Sequence, residues 1–179
     1  AAGETSGSLI HVFPGEYTVT TILNQDYVGS FYFEPEAIIN HTAGTNLFYV
    51  TSSVANSERE LAVYGHGKFK QNGNGSIINM ASSSRVYFEC DTIIKEGGSA
   101  NTIYLQQNAD LDLKANLITG SWGSTYFITP RDESYVTAHI NNLEYFGNTF
   151  CIYPRQGVLT SPNTTRVANE FTIENFIVR

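Results

Sequence analysis

Leu61-Ala62-Val63, Val86-Tyr87-Phe88, Leu111-Asp112-Leu113 and Val136-Thr137-Ala138 are four versions of one triplet, and each begins 25 residues after the one before. A fixed period between about 20 and 50 residues marks a solenoid, in which each repeat buries its apolar face only by stacking on the next. Each triplet is apolar, mixed, apolar, the period-two signal of a strand. The chain therefore reads as a stack of β coils.

A second column drifts with the first. It comprises Asn46-Leu47-Phe48-Tyr49, Ser76-Ile77-Ile78, Thr102-Ile103-Tyr104-Leu105, Thr125-Tyr126-Phe127-Ile128 and Thr149-Phe150-Cys151-Ile152, spaced by 30, 26, 23 and 24 residues. A β-rich chain with strands every 8–12 residues or so has no reason to share one longer period. In the strand Ile77-Ile78-Asn79-Met80 either isoleucine could face inward. A third column gives His66, Asp91, Asn116 and Asn141, with Asn142 and Asn175 in similar settings, each between two apolar stretches. Short polar residues suit tight corners, because Asn and Asp tolerate left-handed backbone and bond to nearby backbone groups. Stacked Asn amides also bond along a stack.

Residues 1–8 are small and polar and read as a lead-in to a single domain over 9–179. Residues 9–23, with Pro14-Gly15 as a turn, and 27–50 make the first two coils. Residues 51–60 read as a polar loop, and regular coils follow from 61 to about 153. The next copy begins at Phe171, 35 residues after Val136, so an insertion of about ten residues falls at 154–168. Such insertions project from one face and commonly carry binding.

Several residue patterns together resemble the pectin-lyase-like superfamily. They are the early Leu9-Ile10-His11-Val12-Phe13-Pro14-Gly15-Glu16-Tyr17-Thr18, the following Phe31-Tyr32-Phe33-Glu34-Pro35-Glu36-Ala37-Ile38-Ile39, and Val63-Tyr64-Gly65-His66-Gly67-Lys68-Phe69 with Asn72-Gly73-Asn74-Gly75. The Asn corner completes the resemblance. It implies an all-β fold, a right-handed single-stranded parallel β-helix of about six coils, and covers most of the chain. Its nearest type is a bacteriophage tail-fibre or tailspike segment. Lyases, hydrolases, esterases and non-enzymatic viral fibres all use this fold, so it does not fix an activity.

Composition narrows the function. The 179 residues are 41% hydrophobic but only 15% charged, with net charge −7. A phosphate backbone requires a basic patch, so nucleic acid is not an expected partner. The apolar runs are too short for a membrane-spanning helix, so no membrane insertion is expected. Cys90 and Cys151 fall in different coils and read as small buried residues, not as a disulfide. No spaced Cys/His set for a metal is evident, and no cofactor is expected. The start at Ala1-Ala2-Gly3 suggests a processed product or a piece of a longer polypeptide.

No catalytic motif emerges. Gly65-His66-Gly67 has the look of a polygalacturonase Gly-His-Gly, but the Asn-Thr-Asp and Asp-Asp motifs that precede it in that family do not occur. His66 is expected to be a corner residue. Hydrolysis of a glycosidic bond generally uses two carboxylates. Among the candidates, Glu89 is expected to pair with Lys114 one coil on, Asp110 and Asp112 to face solvent between buried leucines, and Asp132-Glu133 to belong to a turn. Trp122, within Gly120-Ser121-Trp122-Gly123-Ser124, reads as an exposed loop aromatic of the kind that anchors ligands. Trp122, Tyr126, Arg131, Asp132 and Arg155 are the candidate ligand-binding residues. Tyr64, Tyr87, Tyr104, Tyr135, Tyr145 and Tyr153 fall near alternating positions, so some of them make an outward stripe for a glycan or a second chain. The expectation is a non-enzymatic structural and receptor-binding protein, virion-borne or extracellular, homotrimeric, recognising a cell-surface polysaccharide. The alternatives are a polysaccharide lyase or glycoside hydrolase of the same fold and a bacterial surface adhesin.

Overall fold

The computed structural model describes residues 8–24, 29–51, 60–82, 84–122, 127–132, 134–147, 152–153 and 169–178. The elements among them are all strands. They are β1 (Leu9–Val12), β2 (Gly15–Val19), β3 (Gly29–Phe33), β4 (Ala37–His41), β5 (Phe48–Thr51), β6 (Glu60–Gly65), β7 (Lys68–Gln71), β8 (Ile78–Ala81), β9 (Arg85–Glu96), β10 (Ile103–Leu105), β11 (Asp110–Trp122), β12 (Ile128–Pro130), β13 (Tyr135–Gly147) and β14 (Glu170–Val178).

All strand pairs among the described residues are parallel, and none joins neighbours in sequence. In the first sheet the order is β1-β3-β6-β9-β11-β13-β14, and β2, β4 and β7 lie in line on the second half of β9. The second sheet runs β5-β8-β10-β12. Val86 pairs with Leu111 and Leu111 with Val136, so the repeated triplets lie side by side at one 25-residue offset. Each pass thus returns one strand spacing along, about 4.8 Å.

Alternation decides which side chains go inside. Along β9, Val86, Phe88 and Cys90 are buried while Tyr87 and Glu89 stay partly open, and β11 repeats this with Leu111, Leu113 and Ala115. Asp112 is exposed, as the outward reading of Asp110-Leu111-Asp112 requires. The early core is aromatic: Phe33 meets Phe69 edge-on at 4.9 Å, and Phe88 lies 5.4 Å from Phe48 and 5.1 Å from Phe69. Such pairs add about 0.5–1.5 kcal/mol beyond their burial. Both Ile77 and Ile78 are fully buried, because the chain turns into the second sheet there and points successive side chains inward.

Four readings are corrected. In the second column Ile78 pairs with Ile103 and Ile103 with Ile128, a uniform 25, so the small polar residues chosen as anchors misalign the copies by one or two positions. Phe171 is not the equivalent of Val136. It pairs with Ala138, an offset of 33, because that register places Phe171 and Ile173 over the inward Ala138 and Ile140. The last copy therefore starts at Asn169, whose side chain accepts a bond from the Val136 N–H at 2.9 Å. Residues 120–122 are not a turn but the end of β11, held by pairing of Gly120 with Tyr145 and Trp122 with Gly147. Glu89 and Lys114 are neighbours in register, but no direct ion pair joins them: the Tyr87 hydroxyl donates to Glu89 Oε2 at 2.7 Å and accepts from Lys114 Nζ at 3.3 Å. Cys90 is a buried free thiol. Cys151, the 1–7 lead-in, the 52–59 loop, Glu133 and the 154–168 insertion lie outside the described residues.

Candidate functional site

Two arrays of polar residues follow from this register. The first is the corner between the two halves of the first sheet. His66 Nδ1 lies 3.2 Å from Asp91 Oδ1, the Asn141 amide donates to Asn116 Oδ1 at 3.2 Å, and the Asn142 amide donates to the Asn116 carbonyl at 3.3 Å. Asn175 belongs one step beyond the corner. It pairs with Asn142, whose Oδ1 accepts from its amide at 3.2 Å, while Glu174 falls opposite Asn141. The corner column thus behaves as a ladder of side chains that satisfy one another.

Sequence reasoning missed an inner ladder at the far end of the same sheet. His41, Gln71 and Lys95 occupy equivalent positions and are each buried. Each reaches turn backbone. His41 Nε2 lies 3.2 Å from the Thr21 carbonyl, and Gln71 Nε2 donates to the Thr45 carbonyl at 3.1 Å. Lys95 Nζ donates to the carbonyls of Gly73 and Gly75 at 2.8 and 2.7 Å. Burial pushes the Lys95 ammonium down to about 8. The signal for this ladder was present as Asn72-Gly73-Asn74-Gly75: a Cβ on Gly73 would lie 1.9 Å from the Ala43 carbonyl oxygen, and one on Gly75 1.8 Å from that of Thr45. Only glycine permits turns to stack this closely.

The second outer array lies on the second sheet, and it contains the candidate residues Arg131 and Asp132. Tyr49, Asn79, Tyr104 and Thr129 are aligned in register, and Tyr153 follows the Ile128–Ile152 bridge beside Thr129. Aromatic and short polar side chains therefore alternate along the row. Beside it, Arg131 lies over the Tyr104 ring at 5.9 Å and donates from Nη1 to its hydroxyl at 2.8 Å, and that hydroxyl donates to Gln106 Oε1 at 3.2 Å. Asn79 Oδ1, Thr129 Oγ1 and Arg131 Nε are buried without a hydrogen-bond partner. A buried polar atom left so costs about 1–3 kcal/mol, and three on one face are a concentration that calls for a reason. Asp132 sits in a left-handed turn at φ 51°, and its carbonyl accepts from Asn108 N–H at 3.0 Å, a turn role. The structure brings Arg131 together with Tyr104 and Tyr153 but does not describe the Trp122 side chain, Tyr126 or Arg155.

Among the described residues no group of three or more His, Cys, Asp or Glu side chains could hold a metal ion, and no helix is long and apolar enough to cross a membrane. What the fold and site define is an all-β protein of parallel sheets with one aromatic and polar outer face. No protein-family model, curated protein or solved structure matches the chain.

Proposed function

We propose that this chain is a right-handed parallel β-helix of about six coils, resembling the pectin-lyase-like superfamily, and that the outer face of its second sheet binds a cell-surface polysaccharide. The observation that carries the reading is the row Tyr49-Asn79-Tyr104-Thr129-Tyr153 flanked by Arg131, with three buried polar atoms unpartnered along it. Aromatic rings stack on the apolar faces of sugars, and hydroxyl, amide and guanidinium groups bond their hydroxyls. Successive strands repeat at about 4.8 Å, a spacing comparable with one pyranose, so an extended glycan meets the row as a series of like contacts. The protein acts as a non-enzymatic receptor-binding segment of a viral fibre or tailspike, works on a virion or outside the cell, and assembles as a homotrimer.

A glycan array probed with the purified chain, with Tyr104→Ala and Arg131→Ala as comparisons, tests this. The expected result is selective binding to one class of polysaccharide that either substitution weakens by about tenfold, with unchanged melting temperatures. Binding that neither substitution affects overturns the assignment of the face. Release of new reducing ends or unsaturated products from the bound glycan would replace the binding reading with a hydrolase or lyase. Light scattering on the same sample decides the trimer.

A further inference from the structure

We propose that the groove at the corner of the first sheet is a separate binding site for a small organic ammonium ion. It is an open cavity of about 480 Å³ lined by Gly65, His66, Glu89, Cys90, Asp91, Lys114, Ala115, Asn116, His139 and Asn141. That is the size range of small-molecule pockets. It lies on the first sheet, away from the row on the second, and stands independently of the glycan reading.

Three features define the ligand. With imidazoles counted neutral, the lining carries two carboxylates, Glu89 and Asp91, against the single ammonium of Lys114, on a chain of net charge −7. Each carboxylate has one oxygen already engaged, Glu89 Oε2 by the Tyr87 hydroxyl and Asp91 Oδ1 by His66 Nδ1, and keeps the other for a ligand. The groove also already shows how it receives a cation: the Lys114 ammonium sits 5.2 Å from the centre of the Tyr87 ring and donates to its hydroxyl. Tyr64 repeats that ring one strand earlier. It stacks on Tyr87 with centroids 5.1 Å apart, is 40% exposed, and has no cation from the described residues over it. An exposed ring beside free carboxylate oxygens in a net negative groove is the chemistry that recognises primary and quaternary ammonium groups. A compact cation on a short polar tail fits the volume, and an anion meets repulsion from Glu89 and Asp91. The cavity holds no group of three metal ligands, so a bare divalent ion is not the match.

Titration calorimetry with choline, and with its uncharged isostere in which carbon replaces nitrogen, tests the site. Choline should bind saturably and the isostere should not. Tyr64→Ala should weaken choline about fivefold or more, and Tyr64→Phe, which keeps the ring, should restore it. Lys114→Gln removes the resident ammonium, so it should tighten choline, an effect that a misfolded variant cannot imitate. Arg131→Ala, on the other sheet, should leave choline binding unchanged while abolishing glycan binding, which keeps failure of one site distinct from failure of the other. Equal binding of the isostere, no saturable binding of choline, or a Tyr64→Ala variant that melts normally and binds as before overturns the proposal.

Discussion

Lys95 occupies an inward position where the repeat elsewhere has apolar residues or glycine, with its side chain fully buried and two turn carbonyls as acceptors. Burial lowers its pKa from 10.5 to about 8, so the folded protein releases this proton before the unfolded chain does. Below pH 8 both states are protonated and this lysine adds no pH dependence. Between about 8 and 10.5 the unfolded state binds more protons, and stability rises with pH. The expected gain is of order 1–3 kcal/mol, because the two carbonyl bonds offset part of the burial penalty on the charged form. Urea unfolding at pH 7.5 and pH 10 should show the midpoint rising, and Lys95→Met should remove that rise. Identical pH slopes in the two proteins would contradict it. In the sequence this residue looked like the charged end of Thr92-Ile93-Ile94-Lys95-Glu96. Nothing local distinguishes a lysine that snorkels to solvent from one that folds back under a turn. The distinction lies in Gly73 and Gly75, about one pass earlier, whose carbonyls it reaches.

At the scale of the element, strands were legible and turns only in part. The triplets were found because alternation and a constant offset reinforce one another, and β9, β11 and β13 pair in that register. The corner column was legible for the same reason, with Asn175 one step out because the insertion before it hides the count. The second column was misaligned because its small polar anchors follow turn chemistry, whereas the register follows Phe48, Ile78, Ile103 and Ile128 in the core. The ligand face was half visible: Arg131 and the tyrosines were candidates, but Asn79 and Thr129 are ordinary residues until the pairing sets them between rings. Turn stacking makes a sharp prediction. Gly73→Ala places a methyl 1.9 Å from the Ala43 carbonyl oxygen, whereas the same change at Gly44 meets nothing within 4 Å. Chemical denaturation should show Gly73→Ala destabilised by about 3 kcal/mol or more and Gly44→Ala changed by about 0.5 kcal/mol or less. Similar losses at both positions would mean that backbone entropy, not contact between stacked turns, decides the cost.

At the scale of the whole molecule, contacts run between passes and hardly at all along the chain, since every strand pair skips its sequence neighbours. Stability is then close to a sum of rungs and their interfaces, not the property of one indivisible core. Such a molecule should tolerate the loss of one whole period. Removing Asp110–Ser134, which is 25 residues, joins Ala109 to Tyr135 and brings β13 onto β9. Val136 then takes the place of Leu111 beside Val86, Ala138 that of Leu113 beside Phe88, and Leu143 that of Ile118 beside Ile93. All are apolar and inward, so the shortened chain should keep a parallel-sheet circular dichroism spectrum and one cooperative melt. A deletion one residue shorter, Asp110–Glu133, shifts each inward side chain of β13 to the outer face and should not fold. The comparison separates two accounts of the fold. If both deletions fail alike, β11 makes contacts that no other pass can replace. If only the shorter one fails, the 25-residue register itself is what the sequence encodes, and the identity of each rung is secondary to its phase.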